Sequence, residues 1–162
     1  MMDHTTKKVV VVGVGNLLMG DDGIGIHVVQ ELKKRKYPQN LEAYDAMVNA
    51  FLALEYLDNK DLGIIVDAYQ GGKEPGTLFE VSLNPGDLDT YTDEFNLSLH
   101  DLNFLDALKS GQEAYHLPEE IILIGVEPSV LEPRMELSPC LMEAVPKVIK
   151  RIEEILDFKE CA

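Results

Sequence analysis

Basic residues are scarce in this chain, which carries 14 Lys and Arg against 29 Asp and Glu, for a formal net charge of −15. A protein of this charge repels polyanions, because phosphate backbones and anionic lipids are held by positive patches. The composition therefore argues against DNA, RNA or an anionic membrane as a partner. It is compatible with a cation or with a basic segment of a partner protein.

Long apolar runs and a cysteine framework are also missing. No run approaches the roughly 20 residues that a transmembrane helix requires, and the N-terminal residues lack the apolar core of a signal peptide. The two cysteines, Cys140 and Cys161, form no metal-ligand spacing and no plausible disulfide framework. We therefore expect a protein of the reducing cytoplasm without membrane insertion. The 162 residues fit one domain, residues 1–162.

Apolar patterning predicts five strands that alternate for the most part with four helices. The strands are expected over residues 8–14, 41–45, 63–68, 77–83 and 120–126. The helices are expected over residues 24–36, 50–57, 99–110 and 141–157. The unbroken apolar runs of the first, third and fifth strands are typical of central strands covered on both faces. This order predicts a three-layer α/β domain. The fourth strand should be antiparallel, because its link to the third is too short for a parallel crossover.

A glycine-rich loop over residues 13–25 joins the first strand to the first helix and contains Asp21 and Asp22 near its end. In an open α/β sheet this junction lies at the carboxyl edge, where ligands bind. The loop does not match the dinucleotide fingerprint, since Leu18 replaces the third glycine, and the two carboxylates would repel a phosphate. The acidic end favours a cation or a polarised water. Alternatively, Asp22 only caps the helix.

Two further residues extend this candidate site. Asp67 stands at the end of the apolar third strand, and His100 is predicted in the first turn of a helix capped by Ser98. If the second and third strands flank the first, Asp22 and Asp67 reach into the same crevice. The helix N-terminus would keep His100 neutral and available as a ligand. Two carboxylates and an imidazole suit a divalent metal, either a permanent hydrolytic zinc or a metal held by a partner.

Other roles are open for these residues. Asp67 could be a structural carboxylate that accepts hydrogen bonds from the glycine-rich loop. Asp22 and Asp67 could share a proton as in an aspartic-protease dyad, but that pair would leave His100 unexplained. Cys140 could be a nucleophile beside His100, although a small buried apolar residue is the expected role. The remaining histidines are weaker candidates: His4, His27 and His116.

Six pieces of sequence, in one order and at fixed separations, match a known family. They are residues 13–25 (GVGNLLMGDDGIG), 64–68 (IIVDA), 75–77 (PGT), 98–102 (SLHDL), 125–133 (GVEPSVLEP) and 137–139 (LSP). Over nearly its whole length the chain thus resembles the hydrogenase maturation endopeptidases, which process the large subunit of nickel–iron hydrogenases. The resemblance implies a three-layer α/β/α fold whose five-stranded mixed sheet has the order 2-1-3-5-4, with strand 4 antiparallel.

The resemblance also implies a function. It indicates an endopeptidase that removes the C-terminal extension of a nickel–iron hydrogenase large-subunit precursor after nickel insertion. It maps the metal-contacting and catalytic residues onto Asp22, Asp67 and His100. The nickel would be carried by the precursor, with no permanently bound cofactor, and the enzyme would be a monomer. The alternatives are a zinc-dependent metallopeptidase with another substrate and a non-enzymatic metallochaperone.

One departure from the family pattern falls after the second strand. Many members of the family carry an Asp-Gly-Gly-Thr type of loop there, whereas this chain retains Asp45 and replaces the glycines by Ala46, Met47 and Val48. Loss of the glycines predicts a stiffer loop. Asp45 is a weaker site candidate.

Overall fold

The computed structural model describes residues 7–38, 40–90, 98–99 and 102–156. The strands of the main sheet are Val9–Gly13 (β1), Leu41–Asp45 (β2), Leu62–Ala68 (β3), Leu78–Leu83 (β4) and Glu120–Val126 (β5). The α-helices are Ile24–Lys33 (α1), Ala50–Leu57 (α2), Phe104–Gly111 (α3) and Pro139–Leu156 (α4). Two short 3₁₀ segments cover Gly20–Gly23 and Pro85–Thr90.

The main sheet has the strand order β2-β1-β3-β5-β4. Strands β2, β1, β3 and β5 run parallel, and β4 pairs with β5 in the antiparallel sense. The predicted fold and the direction of β4 are therefore confirmed, as is the place of β5 between β3 and β4 that the family resemblance implied. Gly13 pairs with both Asp45 and Val66, so β1 and β2 end level and β3 continues to Ala68 at the same edge.

Alternate residues of β1 separate two apolar cores. Val9 and Val11 pack in a cluster with side chains of α1 and α4. Val10 and Val12 pack in a second cluster with side chains of α2 and α3. Every residue of β1 is buried, which is why the strand reads as a continuous apolar run rather than as an alternating one. The layers are therefore α1 and α4, the sheet, and α2 and α3.

The helix predicted from residue 99 begins later, at Phe104. Ser98 and Leu99 instead pair in the antiparallel sense with Asn103 and Leu102. This pairing places the segment in a short ribbon, so the prediction that Ser98 caps the helix is wrong. The helix N-terminus expected to keep the imidazole of His100 neutral lies further along the chain, at Phe104.

The other helices follow their patterns with small differences. The cap predicted for α2 is confirmed, since the N–H of Leu52 donates to Asn49 Oδ1 at 3.1 Å. Helix α1 ends at Lys33, earlier than predicted. Helix α4 begins at Pro139 and continues through Pro146, although a proline at this position supplies no N–H to the helical hydrogen bonds. Within the residues that the structure describes, no helix combines the length and apolarity needed to span a membrane.

Candidate active site

The glycine-rich loop brings the start of α1 against the ends of β1 and β3. A Cβ on Gly25 would collide with the carbonyl oxygen of Val66 and would lie 2.7 Å from that of Val14. Gly15 adopts a φ of +140°, a conformation that disfavours any side chain. A Cβ on Gly15 would overlap the carbonyl oxygen of Asp22. These two glycines therefore allow a close approach that side chains would prevent.

Asp22 lies in the 3₁₀ turn Gly20–Gly23 and is partly exposed. The N–H of Asn16 donates to its Oδ2 at 2.9 Å. The cap position of α1 is occupied by Gly23, with no side-chain cap. The alternative that Asp22 only caps the helix is therefore wrong, and its carboxylate is held across the mouth of the glycine-rich loop.

Asp67 is the penultimate residue of β3 and is only 3% exposed. Its Oδ1 accepts the N–H of Ala68 at 2.7 Å and lies 3.5 Å from the point where a Cβ on Gly15 would stand. Burial, and then the negative charge of Asp22, raise the pKa of Asp67 well above its usual value. The structure therefore brings Asp22 and Asp67 close enough to repel, at the edge where the sequence predicted a crevice.

This repulsion gives the two carboxylates different chemistry. The raised pKa lets Asp67 retain a proton at a pH at which an ordinary aspartate has lost it. A neutral carboxyl beside a charged one can act as an acid–base pair. Alternatively, an incoming divalent cation would neutralise both groups and displace the proton, since carboxylate ligands must be deprotonated. Both kinds of chemistry depend on the unfavourable free energy of ionised Asp67 at its buried position beside Asp22.

His100, the third member of the predicted trio, lies outside the described residues. Among the residues that are described, no group of three or more His, Cys, Asp and Glu side chains could hold a metal ion. The assignment of Asp22, Asp67 and His100 as metal-contacting and catalytic residues stays a prediction. The described part of the chain supplies two of the three groups.

Asp21, for which the sequence predicted no role beyond the acidic end of the loop, has a separate one. It is fully buried, and its carboxylate accepts the backbone N–H groups of Ser129 and Val130 at 2.8 Å and of Ser138 at 2.7 Å. The Ser138 hydroxyl donates to Oδ2 at 2.7 Å. Burial opposes ionisation of Asp21, but these hydrogen bonds outweigh it and lower its pKa. Two consecutive aspartates, of which a cap explains only one, were the available signal.

The sequence also did not identify Glu127 as a residue with a structural role. It follows β5 directly, is 5% exposed, and its carboxylate accepts the backbone N–H groups of Gly71 and Lys73. It thereby anchors the loop that follows Asp67 in the chain. A carboxylate directly after an apolar strand is the same signal that identified Asp67, and it could have found Glu127.

The weaker candidates lie in varied surroundings. Asp45 Oδ1 accepts the N–H of Met47 at 2.7 Å, and Asp45 lines a cavity beside the loop. The Sγ of Cys140, in the first turn of α4, lies 3.3 Å from the Ser138 hydroxyl. His27 is half-buried on α1, and the backbone N–H of His116 donates to Asp58. His4 and Cys161 fall outside the described residues.

Fold and site together define a three-layer α/β/α protein with two interacting carboxylates at the carboxyl edge of its parallel strands. Residues 26–155 match the family model HycI, described as hydrogenase maturation protease. The chain belongs to the hydrogenase maturation protease family, as its sequence motifs indicated, and it is an endopeptidase.

Relatives and solved structures agree with this membership. The hydrogenase expression/formation protein HoxM of Azotobacter vinelandii is 29% identical over 157 residues, which cover 91% of this chain and 75% of that protein. The hydrogenase maturating endopeptidase HybD of Escherichia coli superposes with a TM-score of 0.77 at 28% identity, covering 93% of this chain and 92% of its own. A hydrogenase 2 maturation peptidase from a Thaumarchaeota archaeon superposes with a TM-score of 0.72 at 31% identity. The match covers 94% of this chain and 100% of that one.

Proposed function

We propose that this endopeptidase removes the C-terminal extension of a nickel–iron hydrogenase large-subunit precursor after nickel has been inserted. The nickel belongs to the precursor and is the signal for cleavage, so the enzyme has no resident cofactor. Asp22, Asp67 and His100 contact the nickel and position the peptide bond that is cut. Membership of the hydrogenase maturation protease family supports the reaction class and the kind of partner.

The observation that carries the proposal is the interaction of Asp22 with buried Asp67. Burial and the charge of partly exposed Asp22 make the ionised form of Asp67 unfavourable, and a cation that binds both carboxylates would offset this cost. A divalent metal ion presented by a precursor meets this requirement, and a metal-free precursor does not. The pair thus accounts for discrimination between the two forms of the substrate.

The residues act in a simple sequence in this proposal. Binding of the nickel-bearing precursor displaces the proton of Asp67, because a carboxylate ligand is deprotonated. Water, polarised by the substrate's nickel or by one of the two carboxylates, attacks the scissile carbonyl carbon. The C–N bond breaks and the leaving nitrogen takes up a proton, so that each cleavage consumes one water molecule.

The test is the intact mass of a candidate precursor mixed with the enzyme, with and without nickel. The expected result is two fragments, together one water heavier than the precursor, only when nickel is present. Asp67→Asn and His100→Ala should leave the precursor uncut. His116→Ala is the matched control, since His116 makes its hydrogen bonds to Asp58 and Asn59 through its backbone N–H and carbonyl, and it should cleave normally.

Each alternative has its own signature in these experiments. Undiminished cleavage by His100→Ala would reject the proposed trio, and equal cleavage of nickel-free precursor would reject nickel recognition. Binding that leaves the precursor at full length would indicate a metallochaperone. Stoichiometric zinc in freshly purified enzyme would favour a metallopeptidase with its own metal. The cytoplasmic location and the monomeric state stay predictions.

A further inference from the structure

Four large apolar side chains stand exposed near the candidate active site. They are Leu18 (60% exposed), Met47 (62%), Val48 (42%) and Phe51 (47%), here called the apolar rim. Leu18 belongs to the loop after β1, Met47 and Val48 to the turn after β2, and Phe51 to the first turn of α2. Since β1 and β2 end level, the rim lies at the same edge of the sheet as the two carboxylates.

A cavity of about 350 Å³ lies inside this rim. Leu18, Met47 and Val48 form part of its wall, together with Gly15 and Asn16. These last two residues also border the candidate active site: Asn16 donates its N–H to Asp22, and a Cβ on Gly15 would lie 3.5 Å from Asp67 Oδ1. Gly15 and Asn16 therefore form a wall that the cavity shares with the carboxylate crevice.

Met47 occupies a backbone conformation that methionine rarely adopts. Its φ is +53°, a left-handed conformation that costs about 1 kcal/mol for a residue with a Cβ. Two hydrogen bonds of 2.7 Å hold it there, from its N–H to Asp45 Oδ1 and from the N–H of Gly15 to its carbonyl oxygen. A glycine would fit this turn with less strain. Backbone strain of this kind is concentrated at functional sites. Here the strained residue is Met47, which lines the cavity.

The polarity and charge of the cavity lining indicate which kind of side chain can bind there. Its described lining is apolar or uncharged except for Asp45, and no basic residue lines it. An acidic group would meet this carboxylate and the charge of −15 on the whole chain, whereas a large apolar side chain would find matching walls. The rim offers on the order of 400 Å² of apolar surface, below the roughly 800 Å² per partner of a standard interface, so a second copy of the chain fits it poorly.

We propose that the cavity and the apolar rim bind a large apolar side chain of the precursor, next to the peptide bond that is cut. The proposal depends on the proposed function and adds a specificity determinant to it. Because an extended peptide advances about 3.3 Å per residue, a chain that passes Asp22 and Asp67 places a neighbouring side chain over the shared wall. The occupant is a segment of the substrate and not another molecule of the enzyme.

The test compares Met47→Asn with Met142→Asn in steady-state cleavage of nickel-loaded precursor. Asparagine tolerates a positive φ, so the first variant keeps the turn while removing the apolar side chain. Met142 has nearly the same exposure, 61%, but lies on α4 away from the cavity, which makes it the matched control. We expect Met47→Asn to raise KM on the order of ten-fold with little change in kcat, and Met142→Asn to leave both unchanged.

A second experiment, with altered precursors, identifies the precursor side chain that occupies the cavity. Each apolar residue that flanks the cut in the precursor is replaced by Asp, and one such change should raise KM for the wild type far more than for Met47→Asn. Equal KM values for wild type, Met47→Asn and Met142→Asn would overturn the inference while leaving the proposed function intact. Failure of the wild type to cut any nickel-loaded precursor would instead overturn the proposed function. Self-association of the wild type that Met47→Asn abolishes would show that a second copy occupies the rim.

Discussion

The surroundings of Asp21 and of Asp67 differ although both carboxylates are buried at the same edge of the sheet. Asp21 accepts four hydrogen bonds from residues between 129 and 138, and its pKa is lowered. Asp67 accepts a hydrogen bond from the N–H of Ala68, and burial, followed by the charge of Asp22, raises its pKa. The first environment stabilises a charge for structure. The second makes the ionised form unfavourable, as at a site that binds a cation or holds a proton.

The largest expected effect is on activity at Asp67. Asp67→Asn keeps the shape of the side chain but removes the charge and the proton exchange, so precursor cleavage should fall on the order of 100-fold or more. Intact-mass assays of nickel-loaded precursor measure this loss, and circular dichroism checks that the fold is retained. Cleavage at the wild-type rate would remove Asp67 from the catalytic site.

The next effect is on stability at Asp21. In Asp21→Asn the amide nitrogen cannot accept the N–H groups that now reach the carboxylate, so unfolding should become easier by about 2–4 kcal/mol. Thermal denaturation should show a fall in Tm of about 5–15 °C. Ser138→Ala, which removes only the hydroxyl donor, is the graded control and should cost much less. A Tm unchanged in Asp21→Asn would mean that the four hydrogen bonds contribute nothing.

Replacement of Asp67 by Asn should stabilise the folded protein at neutral pH, whereas the replacement of Asp21 should destabilise it. A raised pKa in the folded state means that stability is lost as pH rises from the ordinary aspartate range, about 4, through the folded pKa. Asp67→Asn removes this loss, so at neutral pH its Tm should exceed that of the wild type by a few degrees. The difference should vanish below about pH 3, where the carboxyl is neutral in both the folded and the unfolded states. A Tm below that of the wild type at neutral pH would contradict this.

The smallest expected effect concerns a carboxylate at the surface. Glu80 receives two hydrogen bonds from Arg151, at 2.6 and 2.9 Å, but both side chains are more than a third exposed. Solvent screens such a pair, so Glu80→Gln should change stability by less than about 1 kcal/mol, and the effect should shrink in high salt. Denaturant titrations at two salt concentrations measure it. A loss as large as that of Asp21→Asn would show that burial does not govern these differences.

Much of the fold could be predicted from the sequence because its signals are local. The apolar runs of β1, β3 and β5 reflect burial on both faces, and the short link between β3 and β4 requires the antiparallel direction of β4. The start of α3 could not be predicted, because a short ribbon of Ser98 and Leu99 with residues 102–103 replaces the expected first turn.

The sequence could predict site residues only where a charged residue interrupts an apolar segment. Asp67 could be recognised because a carboxylate is costly in an apolar strand. The structural role of Asp21 could not, since its donors lie 108 to 117 residues further along the chain. The left-handed conformation of Met47 was equally hidden, because the sequence there suggested only a stiffer loop without glycine. Long-range hydrogen bonds and strained backbone require coordinates.

The most direct test of the central comparison is a carboxyl-carbon NMR titration of Asp21 and Asp67 in the same sample, repeated in Asp22→Asn. The pKa of Asp21 should lie below the ordinary aspartate value and that of Asp67 well above it. The pKa of Asp67 should fall in Asp22→Asn, because the neighbouring negative charge is gone. An Asp67 that titrates at or below the ordinary value, or that is unaffected by Asp22→Asn, would contradict the account.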